Sequence, residues 1–181
     1  MTKEELDELF REYQQIVSPL DGTGQSWTKY KGEAFSIILS AHLTRHLTND
    51  HEFMERGWVE GFPTEFDLLL VKRGAKNIDL TPAYRKADVV ALIEAKASGV
   101  YSKKIDADGE LKKYADIANG INLPYFYITR RENEFFSEVT KRVLGEKAFI
   151  LQIGTDKKGI ICYDEWDRLI EHIDRLSGKQ F

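Results

Sequence analysis

The chain carries a single cysteine, Cys162, among 181 residues, so it can build neither an intrachain disulfide nor a multi-cysteine zinc site. It has no apolar run approaching the roughly 18 to 20 residues that cross a bilayer, and the opening MTKEELDELF lacks the apolar block of a signal peptide. A cytoplasmic protein with no membrane partner is the expectation. No G-x-x-x-x-G-K-[ST] loop occurs, so ATP hydrolysis has no support, and there is no repeat, low-complexity tract or linker. An excess of positive charge is also missing. With 26 basic against 30 acidic residues the formal net charge is -4, which argues against a generic, charge-driven nucleic-acid binder but leaves room for a local basic groove. Pieces of one are Lys29 with Lys31, Lys103 with Lys104, Lys112 with Lys113, and Arg130 with Arg131.

What is present suits one soluble domain with a substantial core: 42% hydrophobic and 31% charged residues. The expected organisation is a single domain over 1–181, with a core at about 31–131 and a C-terminal helix, hairpin and helix over 132–181 packed on it. The segment TKEELDELFREYQQIV reads as an amphipathic helix, Thr2 and Glu5 resembling a capping box, and SPLDGTG is expected to end it. A second helix is predicted from about Lys31 to Leu47, with Glu33 in its first turn, where a negative charge is favoured by about 0.3 to 1 kcal/mol. FDLLLVKR (66–73) and DVVALIEAKAS (88–98) read as buried strands with a loop insertion between them. GELKKYADIANGIN follows as a helix and PYFYITRR as a third strand. The remainder predicts a helix through NEFFSEVTKRVLG, a hairpin from AFILQIG and GIICY across TDKKG, and a closing helix DEWDRLIEHIDRL. This order gives an α/β fold, a mixed central sheet flanked by helices on both faces.

Two charges at the end of DVVALIEAKAS stand out, because Glu94 and Lys96 lie two apart on a strand and so point to one face. Asp67 opens the preceding strand. If the strands are neighbours with these ends aligned, Asp67, Glu94 and Lys96 converge. Paired carboxylates beside a lysine suit the binding of a hard divalent cation, typically held by one or two carboxylates plus phosphate oxygens, and the positioning of water for attack on phosphate. Lys96 is suited to orienting or deprotonating that water and to offsetting charge on the phosphorus. The alternative for Glu94 and Lys96 is an exposed ion pair worth about 0 to 1 kcal/mol.

EFD at Glu65 to Asp67, EAK at Glu94 to Lys96 and the upstream helical Glu33 together resemble the signature of the PD-(D/E)XK nuclease superfamily, which includes restriction endonucleases. The resemblance runs from about Gly32 to Arg131. It implies a restriction-endonuclease-like core, with Asp67, Glu94 and the Ala95 carbonyl as ligands of Mg2+ (Mn2+ substituting), Lys96 as catalytic lysine and Glu33 as the helical acid. Phe66 stands where the name-giving motif has proline. Glu110 and Tyr114 are spaced like a glutamine and tyrosine of exonuclease-like branches, with Glu110 departing from that pattern. Glu65 is an auxiliary acid or a solvated charge. The function implied is hydrolysis of DNA phosphodiester bonds, and a homodimer would let two sites cut both strands. The alternatives are an inactive nuclease-fold module that binds nucleic acid or a protein, and an RNA or structure-specific nuclease.

Other features are weaker. His42 and His46 share a helix face but lack the intervening acid of H-E-x-x-H, so a packed or solvated pair is favoured over zinc. Cys162 reads as a small core residue, and the three tryptophans as core or interface anchors.

Overall fold

The computed structural model describes residues 2–21, 23, 27–99, 107–154 and 159–179. Lys103, Lys104 and residues 155–158 of the expected TDKKG turn lie outside these, as do the side chains of Thr2 and Glu110. The elements in chain order are α1 (Thr2–Asp21), α2 (Thr28–Thr44), β1 (His51–Val59), β2 (Glu65–Lys72), β3 (Ala83–Tyr84), β4 (Val89–Lys96), α3 (Ala107–Gly120), β5 (Tyr125–Thr129), α4 (Glu134–Leu144), β6 (Ala148–Ile150), β7 (Gln152–Ile153), β8 (Ile160–Ile161) and α5 (Tyr163–Leu176).

The apolar runs of β2, β4 and β5 become the middle of a mixed six-stranded sheet of order β3-β1-β2-β4-β5-β6. The pairs β1·β2 and β2·β4 are antiparallel, whereas β4·β5 and β5·β6 are parallel. Alternation of side chains along each strand splits the core into two layers. Leu68, Leu70, Ala91 and Ile93 pack with Leu6, Leu9, Phe35, Leu39 and Trp166 from α1, α2 and α5. Leu69, Val71 and Leu92 pack on the other side with Leu111 and Val139 from α3 and α4. Helices therefore cover both faces, which is why β4 reads as a continuous apolar run. No helix among the described residues is long and apolar enough to cross a membrane.

Several local expectations shift. α1 does not stop before Pro19 but runs through it to Asp21. Proline there forfeits one hydrogen bond in the last turn, while the buried stripe Leu6, Leu9, Tyr13 and Val17 ties the helix to the core. α2 starts at Thr28, so Glu33 sits in its second turn, and its first turn contains no acid. β1 is an additional strand in a stretch where none was expected. AFI is the sixth strand of the main sheet, so the expected hairpin is reduced to β7 and β8, a separate two-stranded sheet. Cys162 is half-exposed at the start of α5 instead of lying in the core.

His42 and His46 take α1 carboxylates as partners. His42 is fully buried with Nε2 3.1 Å from Glu12 Oε2, and His46 Nε2 lies 2.8 Å from Glu5 Oε2. They tie α1 to α2, and among the described residues no set of three histidine, cysteine or acidic side chains is assembled that could hold a metal by itself.

Candidate active site

The site forms where β2 and β4 part. Their ladder ends at Leu68 opposite Ile93, and beyond it Asp67 Oδ2 accepts the Ala95 amide at 2.9 Å, a bond that the next sheet pair would otherwise have made. That bond fixes the Asp67 carboxylate at the strand edge. In extended backbone a residue's N–H and C=O point to the same side, so the Ala95 carbonyl also faces the Asp67 edge.

Glu94 and Lys96 project from β4 on the α3 side. The Lys96 Nζ lies 3.2 Å from Asp67 Oδ2 and donates a short hydrogen bond to Glu94 Oε1, so one ammonium bridges two carboxylates. Glu94 is only 8% exposed. Burial, and then the neighbouring Asp67 charge, push its carboxyl above the ordinary glutamate range, with Lys96 opposing both. For Lys96, burial disfavours the charged amine, but Glu94 and Asp67 outweigh it and hold the side chain charged above the ordinary lysine range. The Tyr114 ring of α3 sits 5.7 Å from Lys96 Nζ. Its phenol is pushed up to about 12, first by burial and then by Glu94, so it stays neutral and shields the pair.

A cleft of about 510 Å3 opens in front of this cluster, lined by Asp67, Ala95 and Lys96 on the sheet side and by Glu33 and Lys29 of α2 opposite. Glu33 and Glu65 do not join the Asp67–Glu94–Lys96 cluster directly; Arg56 draws them to itself. Its Nη1 lies 3.2 Å from Glu33 Oε1 and its Nε 2.9 Å from Glu65 Oε1. Arg56 is not among the residues to which the sequence points, because it belongs to the unexpected β1. It occupies left-handed backbone (φ 54°) within an unbroken register, Glu55 pairing with Leu68 and Gly57 with Phe66 on either side of it, which sets it opposite Asp67 with its side chain lining the cleft. The following Gly57 is the usable signal: a Cβ there would come within 2.6 Å of Leu69 Cδ1, so any larger residue makes the Leu69 side chain shift. Glu110 lies on α3 with its side chain outside the described residues.

The donor set fits a hard divalent cation. Two carboxylates converge with neither thiolate nor imidazole beside them, an oxygen donor set that a hard cation prefers. Since side chains supply only two ligands, the Ala95 carbonyl, water and substrate oxygens would complete the shell.

No protein-family model matches the chain, and no curated protein matches it in sequence. Its fold does have solved counterparts. NucC of P. aeruginosa ATCC27853 in its cAAA-bound form superposes with a TM-score of 0.58 at 14% identity, over 98% of this chain and 92% of that one. The cAAA-bound NucC of E. coli MS115-1 gives 0.58 at 14% identity over 98% and 91%, and its apo form 0.55 at 13% over 98% and 92%. The likeness is one of architecture, extends over nearly the full length of both chains, and establishes that this chain has the restriction-endonuclease-like fold of NucC.

Proposed function

We propose that the protein is a Mg2+-dependent nuclease that hydrolyses DNA phosphodiester bonds. The observation that carries this reading is the convergence of Asp67, Glu94 and Lys96 at the parted ends of β2 and β4, where Asp67 and Lys96 line an open cleft and Glu94 lies buried against Lys96. The restriction-endonuclease-like fold, shared with the PD-(D/E)XK-type nuclease NucC, supports it. Asp67 and Glu94 hold the metal, with the Ala95 carbonyl as a third ligand, and Mn2+ serves in place of Mg2+. When bound, the ion polarises the phosphoryl oxygen, acidifies water and neutralises the leaving oxygen.

The chain's own groups do the rest. The Ala95 amide keeps the Asp67 carboxylate oriented toward the cleft. Lys96, which bridges Asp67 and Glu94, is placed to donate a hydrogen bond to the attacking water and the phosphate and to offset the charge that builds there. Tyr114 covers Lys96 and limits its hydration. Glu33, Glu65 and Arg56 form a second ring around the cleft, in which Glu33 is an auxiliary acid and Arg56 restrains both carboxylates.

The test is cleavage of supercoiled plasmid in Mg2+ by wild type and by Asp67→Ala, Glu94→Ala and Lys96→Ala. Removal of a group that acts on the transition state lowers the rate by about 100-fold or more. Equal activity in all four preparations identifies a contaminant and ends the proposal; no activity in any, with folded protein, favours a module that only binds.

A further inference from the structure

A second cavity of about 820 Å3 adjoins the cleft and shares Thr28, Ala97 and Ser98 with it. The two differ in charge. Around the cleft the acids Glu33, Glu55, Glu65 and Asp67 outnumber the bases, as a cation site requires. Around the second cavity, among the described residues, stand Lys31, Arg130 and Arg131 against one carboxylate, Asp21, which takes Lys31 Nζ at 2.5 Å. In a chain of net charge -4, such a basic chamber beside an acidic cleft is a local reversal.

The basic chamber is joined to the cleft through the sheet itself. The Arg130 amide donates to the Lys96 carbonyl at 2.8 Å, so Arg130 begins one residue past the β5 partner of the lysine. Its guanidinium is set in advance: Nε donates to the Ala97 carbonyl at 3.1 Å, and Cζ lies 4.6 Å over the ring of buried Tyr13. Little rotamer freedom then remains to be given up when an anion arrives. The α2 terminus points the same way. Its first turn holds Lys29 and Lys31 with no acid and Trp27 gives no side-chain cap, while Asp21 accepts Lys31 and Glu33 lies 3.9 Å from Lys29. Guanidinium forks and a helix start are both suited to phosphate.

We propose that this chamber is a phosphate subsite for the DNA strand on one side of the scissile bond, with Arg130, Arg131 and Lys31 as positioning residues that set the strand's register over Asp67 and Glu94. It rests on the nuclease reading of the cleft. The role is electrostatic and independent of base sequence.

The experiment measures binding of a fluorescein-labelled duplex by full-length protein in Ca2+ across a salt series, and cleavage of the same duplex in Mg2+. Each positive charge that neutralises a phosphate adds about 0.9 to the steepness of the log–log salt dependence, and removing it takes that amount away. Arg130→Gln/Arg131→Gln therefore lowers the slope by nearly two and raises KM about 10-fold or more while kcat changes little. Because Arg130 is built into the fold through Ala97 and Tyr13, Arg131→Gln and Lys31→Gln are measured beside it, and Arg131→Lys restores most of the slope. A structural defect alone would lower the melting temperature without altering the slope. If wild type cleaves and the folded variants keep its slope and KM, the subsite is wrong and the nuclease reading stands. If no preparation cleaves but the slope depends on Arg130 and Arg131, the chamber binds DNA phosphates with no scissile bond beside it, and the nuclease reading falls together with the subsite that rests on it.

Discussion

Glu132, where the chain leaves β5, is the best place to test the electrostatics of the fold apart from its chemistry. Its side chain is buried, 1% exposed, and its Oε1 accepts a 3.0 Å hydrogen bond from Thr140 of α4. Burial pushes its carboxyl from 4.5 up to about 7, opposed by the Thr140 bond and the Lys141 charge. The folded chain thus keeps this proton up to about pH 7, whereas the unfolded chain releases it near 4.5. Between those values the native state binds more protons, so stability is full below the unfolded value and is lost as pH rises through the folded one. The full loss corresponds to about 3 kcal/mol, most of which falls between roughly pH 5 and pH 8. Glu132→Gln cannot titrate. Urea unfolding of both proteins across that range checks the reasoning: relative to wild type the variant gains about 2 to 3 kcal/mol from the acidic to the alkaline end. A constant offset from the amide's own hydrogen bonding leaves that difference unchanged. Parallel pH profiles would refute the assignment.

Removing the Lys96 ammonium should leave Asp67 and Glu94 facing each other. Lys96→Met in chelator is expected to lose roughly 1 to 3 kcal/mol, read by thermal melting. Mg2+ should then raise the melting temperature of the variant more than that of wild type, since a bound cation replaces the missing charge; an equal rise would contradict this. Gly57→Ala is expected to cost about 1 to 3 kcal/mol, measured by urea unfolding, because the new methyl collides with Leu69 Cδ1 inside a packed layer. A neutral effect would mean that Leu69 turns aside freely.

The strands that carry Asp67, Glu94 and Lys96 are legible because they are buried on both faces: FDLLLVKR and DVVALIEAKAS are β2 and β4 to within a residue or two at most ends. β1 is hidden for the opposite reason. HEFMERGWV has few fully buried positions and carries its charges in mid-strand, so neither an apolar run nor a clean alternation marks it. Arg56 is hidden with it, and so is the shared hold on Glu33 and Glu65. The short β6 is ambiguous because AFIL is equally compatible with a hairpin arm, and only parallel pairing with β5 decides between them. Pro19 does not stop α1, which ends at Asp21, inside the SPLDGTG stretch expected to end it. Asp67, Glu94 and Lys96 need no tertiary information beyond strand adjacency, since their spacing puts them on one face once β2 and β4 pair.

The central claim is that Asp67 and Glu94 form the metal-holding half of a nuclease site, and calorimetric titration of the folded protein with Mn2+ tests it most directly. The account predicts saturable binding by wild type that is weakened about 10-fold or more in Glu94→Gln and in Asp67→Asn, each of which removes one anionic ligand. Binding of unchanged strength in both variants, or no binding by the wild type, would contradict it.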